Sequence, residues 1–200
     1  MLNYNEIKER KFIIFEGEPY EVLTSHVFRK QQRKPVNAAK LRNMLTGSVL
    51  EHSFHQSDKV HEADVVKRNV IYLFKKDGRG DQPTEYWFCS EKNPKDRFML
   101  PENLVINQLR FVKPNDKVTA LVFTDQEDEE QIIGITPDMK VALTVTEAPP
   151  NIKGDSATGG NKVVILETGT PVNAPLFINT GDVIRINTET GEYVERVEKN

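Results

Sequence analysis

Apolar positions in this chain fall in short alternating runs and seldom recur at helical spacing. Lys11-Phe12-Ile13-Ile14-Phe15 runs into the turn Glu16-Gly17-Glu18-Pro19 and then Tyr20-Glu21-Val22-Leu23, the pattern of a hairpin. Residues 38–45 and 48–54, parted by Thr46-Gly47, extend the same sheet. Further strands are predicted over 68–74, 85–89, 117–123, 131–135, 141–145, 162–166, 183–187 and 193–197, with Asp77-Gly78 and Thr190-Gly191 among the turns. The best helical segment is short, residues 102–109 after Pro101. Many short strands with so little helical periodicity predict an all-β chain built of small antiparallel barrels.

Polar stretches divide this pattern. Residues 57–64 are rich in His, Asp and Glu and read as a separator, and Asp125-Gln126-Glu127-Asp128-Glu129-Glu130 reads as a second junction. Three barrels are therefore expected over residues 1–63, 64–126 and 127–200, each near the smallest size at which a single core stands alone. The last two segments could share a fold, but no internal period supports a repeat.

Charge sharpens the division. Net charge is only -3, which argues against a general polyanion binder. Residues 1–63 carry 10 basic and 8 acidic groups, 64–126 carry 11 and 9, and 127–200 carry 6 and 13. A basic front and an acidic tail would orient the chain on an RNA surface. Between Glu21 and Glu51 lie six cations and no acid: Arg29, Lys30, Arg33, Lys34, Lys40 and Arg42. Four of them crowd between two predicted strands, so the expected structure is a hairpin whose charged tip is offered to phosphates.

Other chemistry is weaker. His52 and His55, three apart in a strand, should lie on opposite faces, so with the more distant His61 they do not predict a metal site. Phosphate-binding and zinc-hydrolase motifs do not occur, and no cofactor is expected. Ser25 and His26 adjoin without an orienting third group, which favours surface residues near a loop over a catalytic pair. Cys89, the single cysteine, sits in an apolar run and should be a buried thiol. The glycine-bearing segment 153–162 could let backbone amides approach an RNA backbone, or could be an ordinary loop. The chain shows neither a membrane-length apolar segment nor a signal-peptide core, so a cytoplasmic protein away from membranes is expected.

Several blocks together carry a family resemblance. Lys40-Leu41-Arg42-Asn43-Met44-Leu45-Thr46-Gly47, then Glu62-Ala63-Asp64-Val65-Val66 and Tyr72-Leu73, resemble the first two domains of bacterial elongation factor P. Residues 153–160, Leu166-Glu167-Thr168-Gly169, Ala174-Pro175-Leu176-Phe177 and residues 190–197 are similar to the family's third domain in order and spacing. The resemblance implies an SH3-like (KOW-like) first barrel and two OB-fold barrels in an L shape that mimics tRNA. It implies a monomeric non-enzyme that binds the ribosome between the peptidyl and exit tRNA sites and relieves stalling at consecutive prolines. Its implied partners are large-subunit rRNA, peptidyl-tRNA and mRNA at the exit site.

The resemblance also assigns residues. Gln32, Arg33 and Lys34 would form the tip toward the peptidyl-transferase centre, with Arg29, Lys30, Lys40 and Arg42 as RNA contacts. Gly154, Asp155, Ser156, Thr158, Gly159 and Gly160 would form an exit-site loop. Family members carry a central Lys or Arg at the tip, within loops such as PGKG or SGRN. An ungapped count back from Lys40-Leu41-Arg42 puts Gln32 there. A shift of one residue would present Arg33, and a shift of two Lys34. A ribosome- or RNA-binding β-barrel protein without peptide-bond stimulation is the alternative reading, and a factor-P-like paralogue a third.

Overall fold

The structure is a computed structural model that describes residues 1–29, 34–78, 82–125, 127–150 and 160–199. Among the described residues sixteen strands form three sheets, with little helix. The first sheet contains β1 (Leu2–Asn3), β2 (Phe12–Phe15), β3 (Glu18–Phe28), β4 (Val36–Asn43), β5 (Val49–His55) and β6 (Lys59–Glu62), in the order β1-β6-β2-β3-β4-β5. The second contains β7 (Val65–Lys76), β8 (Glu85–Ser90), β9 (Arg97–Pro101), β10 (Lys117–Thr124) and β11 (Glu130–Thr136), in the order β11-β10-β7-β8-β9. The third contains β12 (Lys140–Glu147), β13 (Asn161–Leu166), β14 (Pro171–Pro175), β15 (Val183–Asn187) and β16 (Tyr193–Glu198), in the order β14-β13-β12-β15-β16.

The chain clusters into two compact units. One holds Met1–Asn69, Leu100–Leu104 and Ala120–Ile135; the other holds Val70–Met99, Val105–Thr119 and Thr136–Asn200. In the first unit Ile7, Ile13, Val22, Leu41 and Phe54 form a core from alternate positions of β2 to β5. A second cluster there joins Met44 and Ala63 to Leu121, Phe123 and Ile133. In the other unit Leu143, Val164, Leu166, Ile184 and Ile186 pack with Phe111. The period-two burial of β12, β13 and β15 shows why: alternate side chains of a strand turn to one face. Cys89 is buried, as its apolar surroundings predict.

Every predicted strand is present, but three expectations change. Residues 57–64 are not a plain separator, because β6 lies within them and pairs with both β1 and β2 (Leu2↔Val60, Ile13↔Glu62). Only Val60 of this strand turns into the core, so its sequence carries almost no apolar alternation. The acidic run is a turn within one sheet: Asp125 Oδ1 accepts the N–H groups of Glu127 and Glu129 at 2.8 and 2.9 Å, between β10 and β11. Residues 127–136 thus supply a strand to the second sheet, and the change of sheet falls between Thr136 and Lys140. The predicted helix is α1 (Glu102–Val105) followed by a separate 3-10 turn, Leu109–Phe111. β-Branched Val105 and Ile106, then Asn107, are poor residues for carrying a helix through. Among the described residues no helix is long and apolar enough to cross a membrane.

Candidate nucleic-acid interface

The basic segment is carried on a fixed arm. β3 pairs with β4 from Tyr20↔Asn43 to Phe28↔Val36, and β4 pairs with β5 from Arg42↔Val49 to Val36↔His55. β2 accompanies β3 only over Glu18 to Glu21, so the part of β3 beyond Val22 has β4 as its ladder partner, spanning about 20 Å at the rise of a strand. A bulge between Val22 and Thr24 re-aims the outer part.

Polar side chains of β3 and β4 fasten the arm to the N-terminal turn. Asn37 is fully buried, and its Nδ2 donates to the carbonyls of Tyr4 and Ile7 at 2.6 and 2.9 Å. Ser25 Oγ donates to the Ile7 carbonyl at 2.6 Å. The N-terminal turn is itself held by Glu6, whose carboxylate accepts the Asn3 N–H at 2.8 Å. That backbone bond leads the causes that lower the Glu6 pKa. Ser25 is therefore a half-buried tie and not a free surface residue, while its neighbour His26 faces outward and is exposed.

At the body end of the arm, much of the Lys40-to-Gly47 motif does structural work. Arg42 is ion-paired with Glu21, its partner across the ladder. Leu41 is buried in the core. Asn43 is buried, and its Oδ1 accepts the N–H groups of Leu45 and Thr46 at 2.8 and 2.9 Å. Gly47 has φ +75°, a left-handed conformation that suits glycine, and its N–H donates to the Asn43 carbonyl at 2.9 Å.

The expected RNA contacts thus separate. Lys34 and Lys40 are exposed, and neither has an ion-pair partner among the described residues. Arg29 is exposed at the end of β3. Arg42 is ion-paired with Glu21, and a cross-strand partner twenty-one residues away cannot be read from local sequence. Lys30, Gln32 and Arg33 lie outside the described residues. The pairing of Phe28 with Val36 leaves residues 29–35 between the strands, and by count Gln32 is the middle one. Elsewhere many cations are also matched, including Lys11 to Glu62, Arg68 to Glu130, Lys113 to Glu167 and Lys117 to Glu91.

Of the glycine-bearing segment, Gly154, Asp155, Ser156, Thr158 and Gly159 lie outside the described residues. Gly160 is described: its carbonyl accepts the Leu176 N–H at 3.3 Å, and an added Cβ would meet Leu176 Cδ1 at 3.4 Å. On the other side Ala148 N–H donates to Thr180 Oγ1 at 3.1 Å, and Lys162 Nζ reaches the Pro149 carbonyl at 2.9 Å. Both flanks of the segment are therefore tied to the third sheet.

The histidines divide as expected. His52 packs against Phe15 and Phe54, with ring centroids 4.7 and 4.6 Å away, while His55 is exposed. No metal-binding group of three appears among the described residues. Sequence reasoning missed two features of the arm. Asn37 looked like an ordinary strand amide, and His26 stacks on Phe28 with ring centroids 6.1 Å apart and planes 15° from parallel. The i, i+2 spacing of two rings in a strand was the available signal for the second.

Comparison with known proteins adds to this geometry. Residues 3–60 match the family model described as the elongation factor P (EF-P) KOW-like domain, and residues 141–196 match elongation factor P, C-terminal. Elongation factor P of Carboxydothermus hydrogenoformans is 35% identical over 197 residues, covering 98% of this chain and 100% of that protein. Elongation factor P of Moorella thermoacetica is 35% identical over 196 residues, with 98% and 100% covered. Elongation factor P of Thermodesulfovibrio yellowstonii is 32% identical over 199 residues, covering 100% of both chains.

Proposed function

The chain belongs to the elongation factor P family of translation elongation factors, and from that premise we propose that it binds the ribosome between the peptidyl and exit tRNA sites and stimulates peptide-bond formation where consecutive prolines stall it. The observation that carries this reading is the match to named elongation factors, which spans all three sheets and covers 100% of both sequences in one case. The arm supports it physically. β3, β4 and β5 form a paired arm, Arg29 follows β3 and Lys34 precedes β4, and cations carried on a braced arm are what contact with RNA phosphates requires. The factor supplies no leaving group. Its effect is to order the end of peptidyl-tRNA, lowering the entropic part of the barrier with a poor nucleophile.

In this reading the first domain works at large-subunit rRNA and peptidyl-tRNA, and residues 154–160 work near exit-site mRNA. The protein acts as a monomer in the cytoplasm. The tip acts without covalent modification: Gln32 offers an amide for hydrogen bonding but no amine or guanidinium, whereas Arg33 and Lys34 keep fixed charge.

Toeprinting on a message encoding three consecutive prolines tests the function. Pausing should fall as factor is added. Unchanged pausing at saturating factor, with ribosome binding intact, would leave an RNA-binding protein on the same scaffold. Intact mass of the native protein tests the tip, since a mass shift mapped to Arg33 or Lys34 would overturn the unmodified state.

A further inference from the structure

Opposite residues of an antiparallel ladder share a face, so the registers of β3, β4 and β5 define rows across the outside of the arm. The two rows nearest the loop are His26, Ala38 and Ser53, then Phe28, Val36 and His55. We propose that this outer face is a stacking platform for an unpaired RNA base, with His26 as the ring that meets it; the inference rests on the ribosome-binding reading.

Shape and preorganisation argue for a planar ligand. His26 is exposed, and beside it the row continues with two small side chains, Ala38 and Ser53, so the floor next to the imidazole is low. The His26 ring lies nearly parallel to Phe28, at 15° and 6.1 Å. Packing against Phe28 limits the rotamers of an otherwise solvated side chain, which reduces the entropy lost when a base lands on it.

Charge selects RNA over an apolar peptide. Exposed Lys34 and Lys40 flank the two rows, and neither row contains a carboxylate. The next row sets Glu51 beside Lys40, and the one beyond it sets Glu21 against Arg42. Asp58 lies near His55, but its Oδ2 accepts the His55 N–H at 2.8 Å and is held in that turn. Every base offers a π face, so such a platform needs no particular sequence, and the cations hold the flanking phosphates.

The test uses the full chain and ribosomes carrying a peptidyl-site tRNA. His26→Ala should weaken binding roughly five-fold or more, as removal of a base-stacking ring does, without changing the slope of log affinity against log salt. His26→Phe should restore binding, since a ring without charge still stacks. Affinity of His26→Ala equal to that of the parent, with the parent binding normally, would overturn this inference alone. A parent chain that does not bind would overturn the functional reading and this inference with it. A flattened salt slope in His26→Ala, not rescued by Phe, would make His26 a cation and remove the platform. An aryl azide on Ser53→Cys should crosslink to RNA, the native Cys89 being buried. A crosslink confined to ribosomal protein would also overturn the proposal. Circular dichroism of each variant checks that the sheet is retained.

Discussion

The arm of the first sheet and the third sheet hold their strands by different means. The third sheet closes on an apolar interior, with Leu143, Val164, Leu166, Ile184 and Ile186 all at 1% exposure or less. The arm extends beyond the side chains that could bury it, and Asn37 and Ser25 bind it to the N-terminal turn. Apolar packing stabilises in proportion to area and has no preferred direction, so it suits a rounded barrel. Two hydrogen bonds from the Asn37 amide to carbonyls of the N-terminal turn hold a thin ladder in one orientation, which suits a segment that must present charge at a distance.

Truncating each region separates the two means. Ile184→Ala should cost about 2–5 kcal/mol, because it leaves a cavity among fully packed neighbours. Denaturant unfolding followed by circular dichroism would measure it, and a loss under about 1 kcal/mol would show that the third sheet does not depend on this interior. Asn37→Ala should cost less, roughly 1–3 kcal/mol, by removing the Asn37 donor from the Tyr4 carbonyl and leaving the Ile7 carbonyl to Ser25 Oγ. Its distinguishing mark is local: hydrogen exchange should accelerate in β3 and the N-terminal turn, while β12 to β16 stay protected.

Smaller changes sharpen the contrast. Gly47→Ala meets no atom within 4 Å, so its cost is that of the left-handed backbone alone, about 1–2 kcal/mol, read from the same unfolding curves. Lys34→Ala should leave stability unchanged. In ribosome binding, it should lower the slope of log affinity against log salt by about one, as loss of one phosphate contact does.

The smallest effect belongs to Glu167 in the third-sheet region. Burial acts to raise its pKa, but the Thr144 N–H at 2.8 Å and Lys113 at 3.3 Å together outweigh it and lower the value from the ordinary 4.5. A lowered carboxylate pKa stabilises the fold above the ordinary value, and that contribution is lost as pH falls through the folded value. Thermal melts of the parent and Glu167→Gln should therefore differ at neutral pH and converge as pH drops below about 4.5. A constant difference across that range would show that the charge contributes nothing.

The sequence by itself determined the all-β class, the positions of twelve strands, the buried Cys89 and the basic excess between Glu21 and Glu51, because each follows from period-two alternation, local turns or simple counting. The family blocks were legible for the same reason: Asn43 and Gly47 build a turn from neighbours a few residues apart. Only the tertiary structure decided that β6 belongs to the first sheet and that the acidic run is a turn inside the second, since a strand with one inward side chain is recognised by its partners and not by its pattern. It also decided which cations remain available. Arg42 and Lys40 are two residues apart and equally basic, and the ladder sets a carboxylate opposite each, Glu21 and Glu51, yet only Arg42 closes an ion pair among the described residues, and that outcome depends on register across a bulge that no local rule predicts.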